Sequence, residues 1–248
     1  MGQTMSHGMS SYTTQRYKEI DFLRAIAIVL MVLFHFVYDL REFVGVNIDY
    51  QSPFWFTAGK MSALLFIVLS GLSSGLSGSP VRRGFKVLIY GMGITVVTYV
   101  FMKEEYVRFG ILHFLGVAMI LSPLLLKLSP RLLWILAGSI AFLGFWFKTL
   151  VVKTSFLLPL GLMREGFSTI DYYPLFPYLA ANIIGILVYQ RFYAQRKITT
   201  PSNFSIQRYP MRNWRIPKWI QWLSRNSLGI YLVHQPIFLL GIFMIKHL

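Results

Sequence analysis

The chain has 248 residues, 55% of them hydrophobic and only 13% charged, with a mean hydropathy of +0.56. Soluble domains carry about a quarter charged residues, so this composition excludes an ordinary soluble domain and points to one membrane-embedded unit. The chain has no cysteine, which excludes disulfides, thiolate metal sites and cysteine nucleophiles, and its net charge of +15 must be explained by where the basic residues fall.

Residues 1–18 are polar, and the apolar run that follows is too long for the core of a cleavable signal. A helix needs about 20 apolar residues to cross a hydrocarbon core about 30 Å thick. The runs predict seven spans, at 22–43, 54–76, 84–102, 109–127, 131–148, 173–190 and 227–245. They do not alternate in polarity as barrel strands do, so the expected fold is all-α: a polytopic transmembrane helical bundle forming one integral-membrane domain over 1–248. Breakers separate the runs, among them Gly78-Ser79-Pro80, Ser129-Pro130 and the Pro- and Arg-rich stretch 199–218. The segment 149–172 is too short in apolar content to span and is read as an interfacial or re-entrant piece.

The basic residues then sort by side. With the N-terminus inside, segments 1–24, 77–86, 127–131 and 191–225 hold sixteen of the 24 Lys and Arg. That asymmetry predicts a cytoplasmic N-terminus, a cytoplasmic basic loop 191–225, and a cell-membrane location. It accounts for the charge through the lipid bilayer, with no nucleic-acid partner. The tryptophans of that loop suit a surface lying on anionic lipid, or a landing site for a phosphorylated donor.

Ionisable groups inside spans are costly and mark function. The first span holds Arg24, His35 and Asp39, with Asp21 at its entrance. Arg24 and His35 share a helix face about three turns, or about 16 Å, apart. Asp39 follows His35 by one turn, where a carboxylate is expected to hydrogen-bond the imidazole and raise the basicity of its other nitrogen. His113 lies near the outer end of the fourth span, where it either faces one cavity with His35 or packs as a histidine on a backbone acceptor. Asp171 opens the sixth span and reads as a helix cap or a substrate ligand. His234 and Gln235 precede Pro236 in the seventh, where proline frees a carbonyl that polar neighbours can satisfy. The run Ser70-Gly71-Leu72-Ser73-Ser74-Gly75 reads as close helix packing. No phosphate loop, zinc-protease motif or serine-nucleophile elbow is found, and no metal is expected.

Four segments in order carry a resemblance: Glu19 to His35, Phe109 to Gly116, Asp171 to Pro177, and Asn226 to Pro236. They resemble bacterial membrane proteins classed with the catalytic domain of heparan-alpha-glucosaminide N-acetyltransferase. The Arg24-x10-His35 spacing is also similar to the pattern of the wider membrane acyltransferase superfamily. Ala25 departs from it, standing where the family usually has Gly, and the chain is shorter than the ten- or eleven-helix relatives.

The resemblance implies transfer of an acyl group, usually acetyl from acetyl-CoA, to a sugar or glycan. His35 is then the expected base or acyl acceptor, oriented by Asp39, with His113 assisting. Arg24, Asp21, Asp171, His234 and Gln235 are the expected substrate-binding set. The competing class is a proton-coupled transporter or flippase using the intramembrane His–Asp pair. Faces rich in small residues are compatible with a homodimer.

Overall fold

A computed structural model describes residues 17–194 and 215–246. The polar N-terminus and the centre of the basic loop, with Trp214, lie outside the described residues.

Among the described residues seven α-helices follow one another: α1 Lys18–Asp39, α2 Pro53–Leu76, α3 Pro80–Phe101, α4 Ile111–Leu125, α5 Pro130–Phe147, α6 Leu175–Phe192 and α7 Lys218–Lys246. α2, α3 and α5 each open on a Ser-Pro pair, Ser52-Pro53, Ser79-Pro80 and Ser129-Pro130. Proline suits a first helical position because its missing N–H would have no partner there. Of the three serines only Ser129 caps, accepting from the Leu132 N–H at 3.4 Å. This signal moves the start of α3 from the predicted 84 to Pro80. α7 begins nine residues before the predicted 227, because the polar stretch from Lys218 continues the helix into the interface instead of breaking it.

Six of the seven helices are long and apolar enough to cross a membrane. The exception is α4, with 15 residues and Pro123 near its end. Its length is tolerable because it is buried among other helices rather than in lipid. Two loops, 102–110 and 148–174, cover its first turn. The Ile170 N–H donates to the Glu105 carbonyl at 3.0 Å and the Tyr173 N–H to the Phe109 carbonyl at 3.0 Å. The segment 149–172, read as an interfacial or re-entrant piece, forms no spanning helix of its own. It is a cap with one 3-10 turn, Leu158–Leu160, knitted to the neighbouring loop.

α2 is the hub, packed on α1, α6 and α4. α7 packs mainly on α1, α5 on α6, and α3 on α4. The main core gathers Ile67, Phe114, Ala118, Leu133, Ile183 and Ile186. The outward faces of α3, α5 and α7 stay apolar, with Ile89, Phe142 and Phe243 at 60% exposure or more, as lipid contact requires.

The α2–α6 contact bears out the close-packing reading of Ser70–Gly75. A methyl group at Gly71 would run into the carbonyl of Asn182, and one at Gly185 into the carbonyl of Val68. Asn182, 1% exposed, donates to the Ile67 carbonyl at 3.1 Å across the same seam. Gly185→Ala is expected to lower stability by about 1–3 kcal/mol through overpacking. Gly229, with open space around it, is the control. Melting in detergent checks this, and equal melting of the Gly185→Ala and Gly229→Ala proteins would contradict it.

Candidate functional site

The polar residues of the spans collect in three places. The first lies between α1 and α7, toward the end where α1 finishes. His35 donates from Nδ1 to the Met31 carbonyl at 2.9 Å. A carbonyl can only accept, so Nδ1 carries the hydrogen and Nε2 keeps a lone pair. His234 repeats this arrangement, donating from Nδ1 to the Tyr231 carbonyl at 2.7 Å. It is 7% exposed, and its Nε2 has no hydrogen-bond partner. The two rings meet edge to face with centroids 4.8 Å apart.

Asp39 is fully buried one turn beyond His35. The expected His35–Asp39 hydrogen bond is not formed. Side chains on a helix lean toward its N-terminus, which carries the imidazole back to Met31 and away from Asp39. Asp39 turns to α7 instead, and Gln235 donates from Nε2 to its Oδ1 at 2.7 Å. Its Oδ2 and the Gln235 Oε1 are buried without partners. Directly after Asp39, α1 widens into a π turn, Leu40–Val44, ending at Gly45 with φ 82°. Such widened turns recur at functional positions.

The second place is the covered start of α4. His113 is 3% exposed and uses both ring nitrogens. The Gly110 N–H donates to Nδ1 at 3.3 Å, and Nε2 lies 3.2 Å from the Thr95 hydroxyl. That hydroxyl already donates to the Val107 carbonyl at 2.7 Å, so Nε2 is the donor to Thr95. His113 thus braces α3 against α4 and has no lone pair to spare. A small pocket beside it is lined by Gly91, Asp171 and Tyr231, and not by His35.

Asp171 accepts the Ile111 N–H at 2.9 Å, so it caps α4 rather than the sixth span, which starts four residues later. Burial pushes its carboxyl up from 3.8 to about 6, opposed by the Ile111 N–H and the Lys60 charge. A carboxyl whose folded pKa is raised binds more protons folded than unfolded. Its contribution is therefore most favourable below about pH 4 and is lost as pH rises to about 6. Asp171→Asn still offers an oxygen to Ile111. The wild-type melting temperature, taken relative to this variant, is expected to fall between those pH values, and a flat difference would contradict the assignment.

The third place is the opposite end of the bundle. Arg24 donates to the Ser73 hydroxyl at 2.9 Å and the Ser224 hydroxyl at 3.3 Å. Ser224 donates to Asp21 at 2.7 Å. Asp21 and Arg24 thereby join α1 to α2 and α7.

The structure therefore unites His35, Asp39, His234 and Gln235. It places His113 and Asp171 at the start of α4, each with its own partners, and links Arg24 to Asp21 through Ser224, elsewhere. Sequence reasoning missed Thr95, Ser73, Ser224, Asn182 and Gln190, the last donating to the Leu126 and Leu128 carbonyls at the end of α4. Their common signal is a polar side chain in an apolar helix, which in lipid must find an acceptor.

No curated protein and no solved structure matches the chain significantly. The sequence profile described as heparan-alpha-glucosaminide N-acetyltransferase, catalytic, matches residues 16–236. That stretch contains all seven helix starts and all three polar clusters, and by it the chain belongs to the heparan-alpha-glucosaminide N-acetyltransferase catalytic-domain family.

Proposed function

We propose that the protein is a membrane acyltransferase that moves an acetyl group from acetyl-CoA to a sugar or glycan acceptor, with His35 as its base. The family supports the acetyl-transfer class. The observation that carries the residue assignment is the 2.9 Å bond from His35 Nδ1 to the Met31 carbonyl, which leaves Nε2 as a base beside His234. In direct transfer, Nε2 takes the proton from the acceptor O–H or N–H as that atom bonds to the thioester carbonyl carbon. The C–S bond breaks, and the CoA thiolate takes the proton back from His35. In the two-step route Nε2 bonds to the thioester carbonyl carbon and the C–S bond breaks to release CoA thiolate; the acceptor atom then bonds to that carbon, the N–C bond breaks to restore the ring, and the acceptor proton goes to the thiolate. Both routes need the same free nitrogen.

Asp39 serves in this reading as a positioning residue. Its bond to Gln235 sets α7 against α1, and so sets His234 beside His35. His113 and Asp171 hold the covered end of α4, and Arg24 with Asp21 holds the far end of α1. The experiment is transfer of labelled acetyl by the purified protein, compared between wild type and His35→Ala.

The charge asymmetry supports a cytoplasmic side for that far end in a cell membrane, where basic loops attract anionic CoA. The chain has no native cysteine, so a single Ser205→Cys, in the loop outside the described residues, can be labelled selectively. Protection from an impermeant thiol reagent in intact cells, with labelling after lysis, is the expected result. Ready labelling in intact cells would reverse the orientation.

A further inference from the structure

Lys60 is an ionisable residue inside a span that the acyl-transfer reading does not use. It lies seven residues, or about 10 Å, beyond the start of α2. It shares a helix face with Ile67 and Gly71, seven and eleven residues on. Those two pack on α6: the Ile67 carbonyl accepts from Asn182, and a methyl group at Gly71 would meet the Asn182 carbonyl. Ile67 is fully buried, yet Lys60 is exposed. The seam between α2 and α6 is thus closed at Ile67 and open at Lys60. The Lys60 side chain leans toward the start of α2, as helical side chains do. Its ammonium sits over the rings of Phe56 and Tyr173, at 5.7 and 5.8 Å from their centroids. It donates to the Tyr178 hydroxyl at 3.5 Å. Among the described residues it forms no ion pair. Asp171 acts on it only through space, with one carboxylate oxygen taken by the Ile111 N–H.

We propose that Lys60 and Tyr178 bind an oxyanion, a phosphate or a carboxylate, presented at the end of the bundle where α1 finishes. A cation this far into a span is costly without an opposite charge and marks the path of a ligand. The flanking rings steady the ammonium without neutralising it. The Tyr178 hydroxyl accepts from Lys60, so it keeps its own hydrogen to donate. Two donors side by side can then hold two oxygens of one anion. The site is distinct from the reacting centre. Gly59 faces Phe34 and Ser62 bonds to the Ala27 carbonyl, so α1 lies on their side of α2. Both stand about 100° or more around the helix from Lys60. The anion is therefore not the reacting group. It belongs to an acidic sugar acceptor, a source that rests on the acyl-transfer reading, or to a lipid headgroup of that leaflet. Both present the same oxygens.

The test uses the full chain purified in neutral detergent, with three anionic probes: glucuronate, glucose-6-phosphate, and phosphatidylglycerol added to the micelles. At least one is expected to bind. Lys60→Gln should weaken that binding by about tenfold to a hundredfold, as loss of a charge-assisted hydrogen bond does. Tyr178→Phe, which keeps the charge, should weaken it by about tenfold or less, and Lys60→Arg should retain most of it. Lys153→Gln removes an exposed charge from the loop that covers the same end, and should change it by about twofold or less under screening salt. Lys60-dependent binding of a sugar acid identifies the acceptor, and of phosphatidylglycerol a lipid headgroup. The proposal is overturned if none of the three probes binds, or if binding is unchanged in Lys60→Gln and Tyr178→Phe proteins that melt as wild type does. His35→Ala protein should bind the probe as wild type does, so loss of acyl transfer there leaves this inference standing by itself.

Discussion

His35→Ala is expected to abolish acyl transfer while the protein still inserts, purifies and melts near the wild-type temperature. The two effects separate because of where the imidazole is anchored. Its hydrogen bond goes to the Met31 carbonyl of its own helix, so removing it breaks no hydrogen bond between helices and loses only the ring contact with His234. A positioned base contributes about 10²–10⁴-fold to rate, so the loss should be at least of that size. Should the two-step route operate, the loss is complete, because the atom that carries the acyl group is gone. His234→Ala is the companion variant. It should retain part of the activity if His234 only packs against the base. Wild-type turnover in folded His35→Ala protein would move the assignment to the Nε2 of His234, ahead of His113, whose nitrogens are both engaged.

The Asp39–Gln235 link should give the largest effect on stability. Asp39 is fully buried, and the Gln235 amide is its hydrogen-bond donor among the described residues. Gln235→Leu leaves that carboxyl buried with no donor, which should destabilise the protein by about 3 kcal/mol. Removing both polar ends is different. The double variant Asp39→Leu/Gln235→Leu replaces a polar pair by an apolar one and should melt above the Gln235→Leu single variant. Turnover should fall in both, because the α1–α7 geometry around His35 and His234 depends on the link. If the double variant is no more stable than the single, Asp39 has another partner and the link is not what holds α7.

The number, type and order of the helices could be read from runs of apolar residues, because lipid forces each span to satisfy its backbone internally. The ends could not. The Ser-Pro start of α3 overrode the hydropathy edge, and the first turns of α7 are amphipathic enough to be taken for loop. α4 was readable as apolar but not as short, since its length follows from the two loops that cover it. The candidate site was half readable. His35, Asp39, His234 and Gln235 stand out as polar groups in apolar helices. Which of them pair depends on side-chain direction along α1 and on α7 lying against it, and spacing alone suggested the wrong partner for Asp39. Asp171 shows the same limit: its neighbour in sequence is α6, but the N–H it reaches belongs to α4.

The central claim is that the α1–α7 histidine site transfers acyl groups, and labelled acetyl-CoA with the purified protein tests it most directly. The account predicts that label leaves CoA, to a sugar acceptor, to water or to the protein, and that His35→Ala stops it. Contradiction would be a folded wild-type protein that leaves acetyl-CoA and longer acyl-CoAs untouched with amino-sugar and hydroxyl acceptors present, or one whose rate His35→Ala does not change.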